Sequence, residues 1–122
     1  MIIDHIGLTV GDYQRSLQFY SAALAPLEIE QLMEVHGWAG FGREGKPEFW
    51  LGEGEAPQRP MHVAFTAGTR EQVRGFYRAA LDAGGRDNGP PGLREIYHPD
   101  YYGAFVLDPD GHNVEAVCHL PE

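Results

Sequence analysis

Hydrophobic and polar positions change period twice along the chain, and the same changes then occur a second time. Ile6, Leu8 and Val10 alternate with His5, Gly7 and Thr9, which predicts a strand over Ile2 to Val10 with two unlike faces. Tyr13, Leu17, Tyr20 and Leu24 then recur at helical spacing behind Asp12, a good N-cap, and Pro26 ends the run. Stretches without helical period follow at Glu28 to His36, Trp38 to Gly42 and Glu48 to Gly52, three strands with Arg43 to Pro47 as a turn. Further on, Val63 and Phe65 alternate with His62, Ala64 and Thr66. Thr69 and Gln72 form a capping box ahead of the stripe Val73, Phe76, Tyr77, Ala80 and Leu81, which Gly84-Gly85 stops. A Pro90-Pro91-Gly92 loop and a strand near Leu93 to Tyr97 lead to a hairpin from Ala104 to His119. Its Asp108-Pro109-Asp110-Gly111 has the residues of a type I turn.

The recurrence is a duplication. A shift of 57 positions pairs His5 with His62, Thr9 with Thr66, Gly11 with Gly68, Phe19 with Phe76, Tyr20 with Tyr77, Ala22 with Ala79, Ala23 with Ala80 and Leu24 with Leu81. Chance would give roughly one or two such identities over that span. Each copy reads strand, helix, strand, strand, strand, so the expected class is α+β: two βαβββ modules, residues 1–52 and 61–122, joined by a Gly- and Pro-rich linker at 53–60 within one domain, 1–122. For the last strands, a shift of 64 sets Trp38-Ala39-Gly40-Phe41 against Tyr102-Gly103-Ala104-Phe105. One more residue in the second turn then sets Trp50 opposite Glu115.

Composition narrows the partners more than the fold. A 43% hydrophobic, 22% charged chain is ordinary for a globular domain, but a net charge of -9 argues against duplex nucleic acid and anionic membranes. Cys118 is the only cysteine, so no intramolecular disulfide forms, and its expected role is that of a small core hydrophobe. With no leader pattern and no membrane-length apolar run, the expected location is the cytoplasm.

Two features point to chemistry. His5 and His62 share their strand faces only with Gly or Ala and Thr, a lining suited to a cavity wall. Glu115 lies between apolar neighbours in the last strand, where a buried carboxylate is costly unless a charge, donors or a metal meet it. Two histidines and a carboxylate from three strands match the set that holds a divalent ion and leaves open corners, with Fe, Mn, Ni, Co and Zn all compatible. A lone strand histidine is more often structural, but these two are repeat mates and the carboxylate is identified independently.

The segments DHIGLTVGDYQRSLQFYSAAL, HVAFTAGTREQVRGFYRAAL and YYGAFVLDPDGHNVEAV resemble the vicinal oxygen chelate superfamily, also called the glyoxalase, bleomycin resistance and dioxygenase family. The resemblance implies a cup-shaped mixed β-sheet with helices outside, a homodimer, and a metal in the cup held at His5, His62 and Glu115. It also implies a small-molecule substrate with adjacent oxygens and a lyase, isomerase or dioxygenase reaction. Glyoxalase I members carry a glutamate at the fourth position, where this chain has Trp50; a register two residues different would place Glu48 there. His98, Tyr101 and Tyr102 are secondary catalytic candidates, His98 as acid or base and the tyrosines as lining. His36, His112 and His119 are expected in loop or surface roles. The alternative function within the same family is a non-catalytic protein that captures a cationic drug, as bleomycin resistance proteins do.

Overall fold

The parallel pairing of first and last strand in each module requires a crossover, and the helix supplies it. A computed structural model describes residues 3–55 and 60–122, so the expectations for Met1, Ile2 and linker residues 56–59 lie outside the described residues. The order is β1 (Ile6–Val10), α1 (Tyr13–Leu24), β2 (Glu30–Val35), β3 (Trp38–Arg43), β4 (Lys46–Glu53), β5 (His62–Thr66), α2 (Arg70–Asp82), β6 (Arg86–Leu93), β7 (Tyr102–Leu107) and β8 (Asn113–Cys118). Two four-stranded mixed sheets result, β1-β4-β3-β2 and β5-β8-β7-β6, and the class is α+β with two βαβββ modules.

The helix starts form as their side chains dictate. Asp12 accepts from the Arg15 amide at 3.1 Å, and Thr69 and Gln72 make both bonds of a capping box. α1 buries Phe19, Tyr20, Ala23 and Leu24 while α2 buries Val73, Phe76 and Ala80. These meet the backs of both sheets in one core, where Tyr20 packs on Phe49 and Phe49 on Phe65 with ring centroids 4.9 and 5.1 Å apart. Cys118 is free and buried in that core.

Four local features differ from expectation. β1 begins at Ile6, whose partner is Phe49, so His5 precedes the ladder instead of belonging to it. The Arg43 to Pro47 turn contracts to Glu44-Gly45, both at positive φ (52° and 80°), the two-residue geometry that suits a twisted hairpin. β6 runs through Pro90-Pro91-Gly92, and 94–101 is a loop where a strand was expected. Proline is tolerated because β6 is the outer strand of its sheet and its ladder skips from Gly89 to Gly92. The repeat shift is 65 in β3 and β7, where 64 was expected, and 65 in the last strands, where Trp50 corresponds to Glu115 as expected. Ala39 and Phe41 face the core as Ala104 and Val106 do, so Phe41 corresponds to Val106, and the span from Phe41 to its partner Phe49 equals that from Val106 to Val114.

Asp108 ties the modules together. Its Oδ1 accepts from the amides of Asp110 (2.9 Å) and His112 (2.8 Å), and its Oδ2 accepts from the Tyr20 hydroxyl of the other module at 2.5 Å. Burial, then the Asp108 charge, holds the Tyr20 pKa well above the ordinary tyrosine value. The folded state therefore keeps this proton where the unfolded chain loses it. That part of the stability is present below about pH 10 and is lost as pH rises beyond it. Tyr20→Phe is expected to cost about 1–3 kcal/mol in urea unfolding at neutral pH, by stranding Asp108 Oδ2, and to flatten the alkaline loss seen in the wild type.

Candidate functional site

The parallel ladder of β5 and β8 pairs His62 with Asn113 and Ala64 with Glu115, which places the His62 and Glu115 side chains on one face. Glu115 is 1% exposed and the His62 side chain 51%, with Nε2 of the imidazole 3.1 Å from Glu115 Oε1. Nδ1 of His62 donates to the Asn113 carbonyl at 3.1 Å, which fixes the tautomer and leaves Nε2 with a lone pair. That lone pair faces a carboxylate oxygen. Two acceptors this close need a cation between them, either a proton or a metal ion.

Tyr101 occupies the other oxygen, donating its hydroxyl to Glu115 Oε2. Burial and then this hydrogen bond push the Tyr101 pKa far above the usual tyrosine range, so the hydroxyl remains a donor. Gly103 makes the approach possible, because a Cβ there would sit 3.2 Å from Glu115 Oε2 and 3.3 Å from the Tyr101 ring. Phe105, the register partner of Glu115, lies nearly parallel to His62 with centroids 6.3 Å apart.

The remaining candidates divide. His98 does not reach Glu115. It takes the Asp100 amide on Nδ1 (3.1 Å), stands edge-on to Tyr101, and shares a 2.7 Å hydrogen bond with His119. Tyr102, next along the strand, turns to the opposite side and lies under Arg70 and Arg74 of α2. His112, expected at the surface, is 1% exposed and accepts from the Met61 amide.

His5 is only partly brought in. Its Nδ1 donates to Asp4 Oδ1 at 2.8 Å, and Asp4 in turn pairs with Lys46. A cavity of about 370 Å³ is lined by both His5 and His62, with Arg43 and Glu48 beside them over an apolar floor that includes Phe49 and Phe65. Among the described residues, however, no three His, Cys, Asp or Glu side chains form a metal-binding group. The expected triad therefore divides into a joined pair and a separate histidine, because His5 lies just outside the ladder that would have aimed it. The register also sets Trp50 beside Gly7 as Glu115 is set beside Ala64, so Trp50 holds the fourth position and Glu48 does not.

Asp4 and the Asn113 carbonyl were not singled out in the sequence. A carboxylate preceding a ligand-type histidine was the available signal for Asp4, and only the ladder register reveals the carbonyl.

The sequence profile of the Glyoxalase/Bleomycin resistance protein/Dioxygenase superfamily matches residues 2–116. No curated protein matches the chain. Among solved structures, the chain is similar to a glyoxalase/bleomycin resistance protein from Albidiferax ferrireducens T118, with 26% identity, TM-score 0.84, and coverage of 97% of this chain and 99% of that one. It shares its fold with a glyoxalase/bleomycin resistance protein/dioxygenase family enzyme from Burkholderia phytofirmans PsJN (17%, 0.74, 97% and 98%). It also does so with the fosfomycin resistance protein FosX of Mesorhizobium loti (17%, 0.68, 93% and 88%). Tyr101→Phe should remove the donor on Glu115 Oε2 and lower stability by about 1–3 kcal/mol in denaturant titration, with the far-ultraviolet dichroism unchanged.

Proposed function

The chain belongs to the Glyoxalase/Bleomycin resistance protein/Dioxygenase superfamily, and on that premise we propose that it is a divalent-metal-dependent enzyme acting on a small substrate with adjacent oxygens. The observation that carries this reading is His62 Nε2 held 3.1 Å from the buried Glu115 Oε1, with Nδ1 of the same ring committed to the Asn113 carbonyl. The donor set fits a divalent cation: imidazole nitrogen and carboxylate oxygen suit Fe, Mn, Ni, Co or Zn, and each histidine already gives its Nδ1 proton to an acceptor. His62 and Glu115 would hold the ion, with His5, across the shared cavity, as the third ligand. A divalent ion supplies Lewis-acid polarisation of substrate oxygens.

This chain's own residues do the rest. Glu115 contributes the buried negative charge that localises the cation, and Tyr101 keeps one carboxylate oxygen occupied so that the other stays directed at His62. Asp4 and the Asn113 carbonyl set the tautomers. The indole of Trp50 supplies neither ligand nor base, which favours chemistry without a fourth-position carboxylate, of the lyase, isomerase or dioxygenase kind. His98 serves as a positioning group behind Tyr101, and Tyr102, at the start of β7, packs under the arginines of α2. A cytoplasmic homodimer is part of the same reading, supported by the free thiol of Cys118 and by the exposed Ile96 and Tyr97 after β6. No helix among the described residues is long and apolar enough to cross a membrane.

A second reading, capture of a cationic drug without catalysis, is favoured by Trp50 at the fourth position and by the net charge of -9. Metal analysis separates the two. After incubation with each of the five ions and desalting, the wild type should retain about one ion per chain, and His62→Ala and Glu115→Gln should retain none. Substoichiometric metal in the wild type, with thermal stabilisation by a cationic glycopeptide that survives chelator, would establish the second reading. Asp4→Ala should weaken metal binding by about 10–100-fold with little change in Tm, since it releases the His5 ring without touching the core.

A further inference from the structure

Arg94 is fixed over the second sheet in a seat cut to its shape. Gly89 of β6 pairs with Phe105, and Phe105 pairs in turn with Glu115, so the three share the face of the carboxylate. The guanidinium lies over that face, with Cζ 5.3 Å from the centre of the Phe105 ring. Nη1 donates to the Gly92 carbonyl at 2.8 Å and Nη2 to the Pro90 carbonyl at 2.7 Å. Two glycines leave room for it. A Cβ on Gly89 would stand 3.2 Å from Nη2, and one on Gly92 would stand 3.2 Å from Nη1. The Pro90-Pro91-Gly92 run that interrupts β6 thus turns two carbonyls toward one cation, which stays half-buried.

An arginine that merely fastens its own loop needs no more than those carbonyls. Arg94, however, keeps further donors, because a guanidinium has five N–H groups, and no carboxylate among the described residues pairs with it, whereas Arg70, Arg74 and Arg78 of α2 each meet one. Nor is it the counter-ion of Glu115, whose oxygens are met by Tyr101 and His62. Glu115 lies two strands away, about 10 Å by strand spacing. The cation still acts on the site: burial raises the Tyr101 pKa most, and the Arg94 charge alone opposes the rise. We infer that Arg94 is a specificity-determining residue that receives the carboxylate of a monoanionic substrate whose metal-binding oxygens lie at its other end. One guanidinium balances one negative charge, and a phosphate dianion in a chain of net charge -9 would lack a second cation. With contacts of about 2 Å to a metal and about 3 Å to the guanidinium, the two ends of the molecule stand roughly 5–7 Å apart. The far end rests on the metal enzyme proposed above; the grip of Arg94 on a carboxylate does not.

The metal-free wild type is titrated with 4-hydroxybenzoate and with 4-hydroxybenzamide, which share ring and phenol and differ in charge, and binding is followed by ligand-observed NMR at low and high salt. A chain of net charge -9 disfavours the anion on overall electrostatics, so a preference for it isolates a local cation. The expected Kd is about tenfold lower for the carboxylate, with the ratio shrinking as salt is raised. Arg94→Gln should bring the two Kd values within about twofold of each other, with the dichroism spectrum unchanged. Arg94→Lys keeps the charge but not the planar fork, so it should show a preference between those two and test the same point if Arg94→Gln misfolds. Equal affinities in the wild type, an undiminished preference in Arg94→Gln, or a preference insensitive to salt would overturn the inference. A wild type that prefers the carboxylate but retains no metal would defeat the catalytic reading alone, and one that retains metal without the preference would defeat the role of Arg94 alone.

Discussion

The buried carboxylate of Asp108 is the constraint on which the arrangement turns. Removing such a group from water is costly unless donors meet it. Here two amides of its own turn and the hydroxyl of Tyr20 on the first helix do so. The turn thereby acquires its shape from the same oxygens that fasten it to the other module. Asp110 reinforces the junction, accepting from the Gly11 amide at 3.3 Å and the Ser16 hydroxyl at 3.5 Å. Since this turn joins β7 to β8, its geometry sets the register that pairs Phe105 with Glu115. The position of the Glu115 carboxylate therefore depends on the packing of the two halves.

Duplication gave each half the same back and a different front. The backs meet in one core, where Leu8, Phe41, Leu51, Val106 and Val114 leave little freedom to change. The fronts lie outside that core and have diverged: Glu115, Phe105 and Ala64 in the second sheet stand where the first has Trp50, Gly40 and Gly7. One front is built around a charge and the other around π surface. A two-fold backbone can thus carry two unlike faces, because strand alternation makes front and back independent.

Glu115 shows how little surrounds a buried charge when the arrangement is economical. Tyr101 satisfies one oxygen, and His62, its Nδ1 committed to a main-chain carbonyl, confronts the other. Gly103 keeps the space open from the neighbouring strand. The partners come from β5, from β8 itself, and from the loop before β7, and none is adjacent to Glu115 in sequence.

Features governed by near neighbours were legible in the chain: the helix caps at Asp12 and Thr69, the alternation of β1 and β5, the Asp108 turn, and above all the repeat, whose paired residues announce two like modules. The sequence also singled out Glu115, because an acid among apolar strand residues requires an explanation wherever it lies, and named Tyr101 only as lining. It misread β6, since Pro90-Pro91 breaks a central strand but not an outer, interrupted one, and position within a sheet is not a local property. It grouped Tyr101 with Tyr102, although consecutive residues point to opposite sides, one to the carboxylate and the other to the arginines of α2. What the amino-acid order determined by itself was which residues must be satisfied. Which partners satisfy them was decided only by the tertiary structure, because a ladder that begins one residue after His5 but includes His62 gives two repeat mates different surroundings.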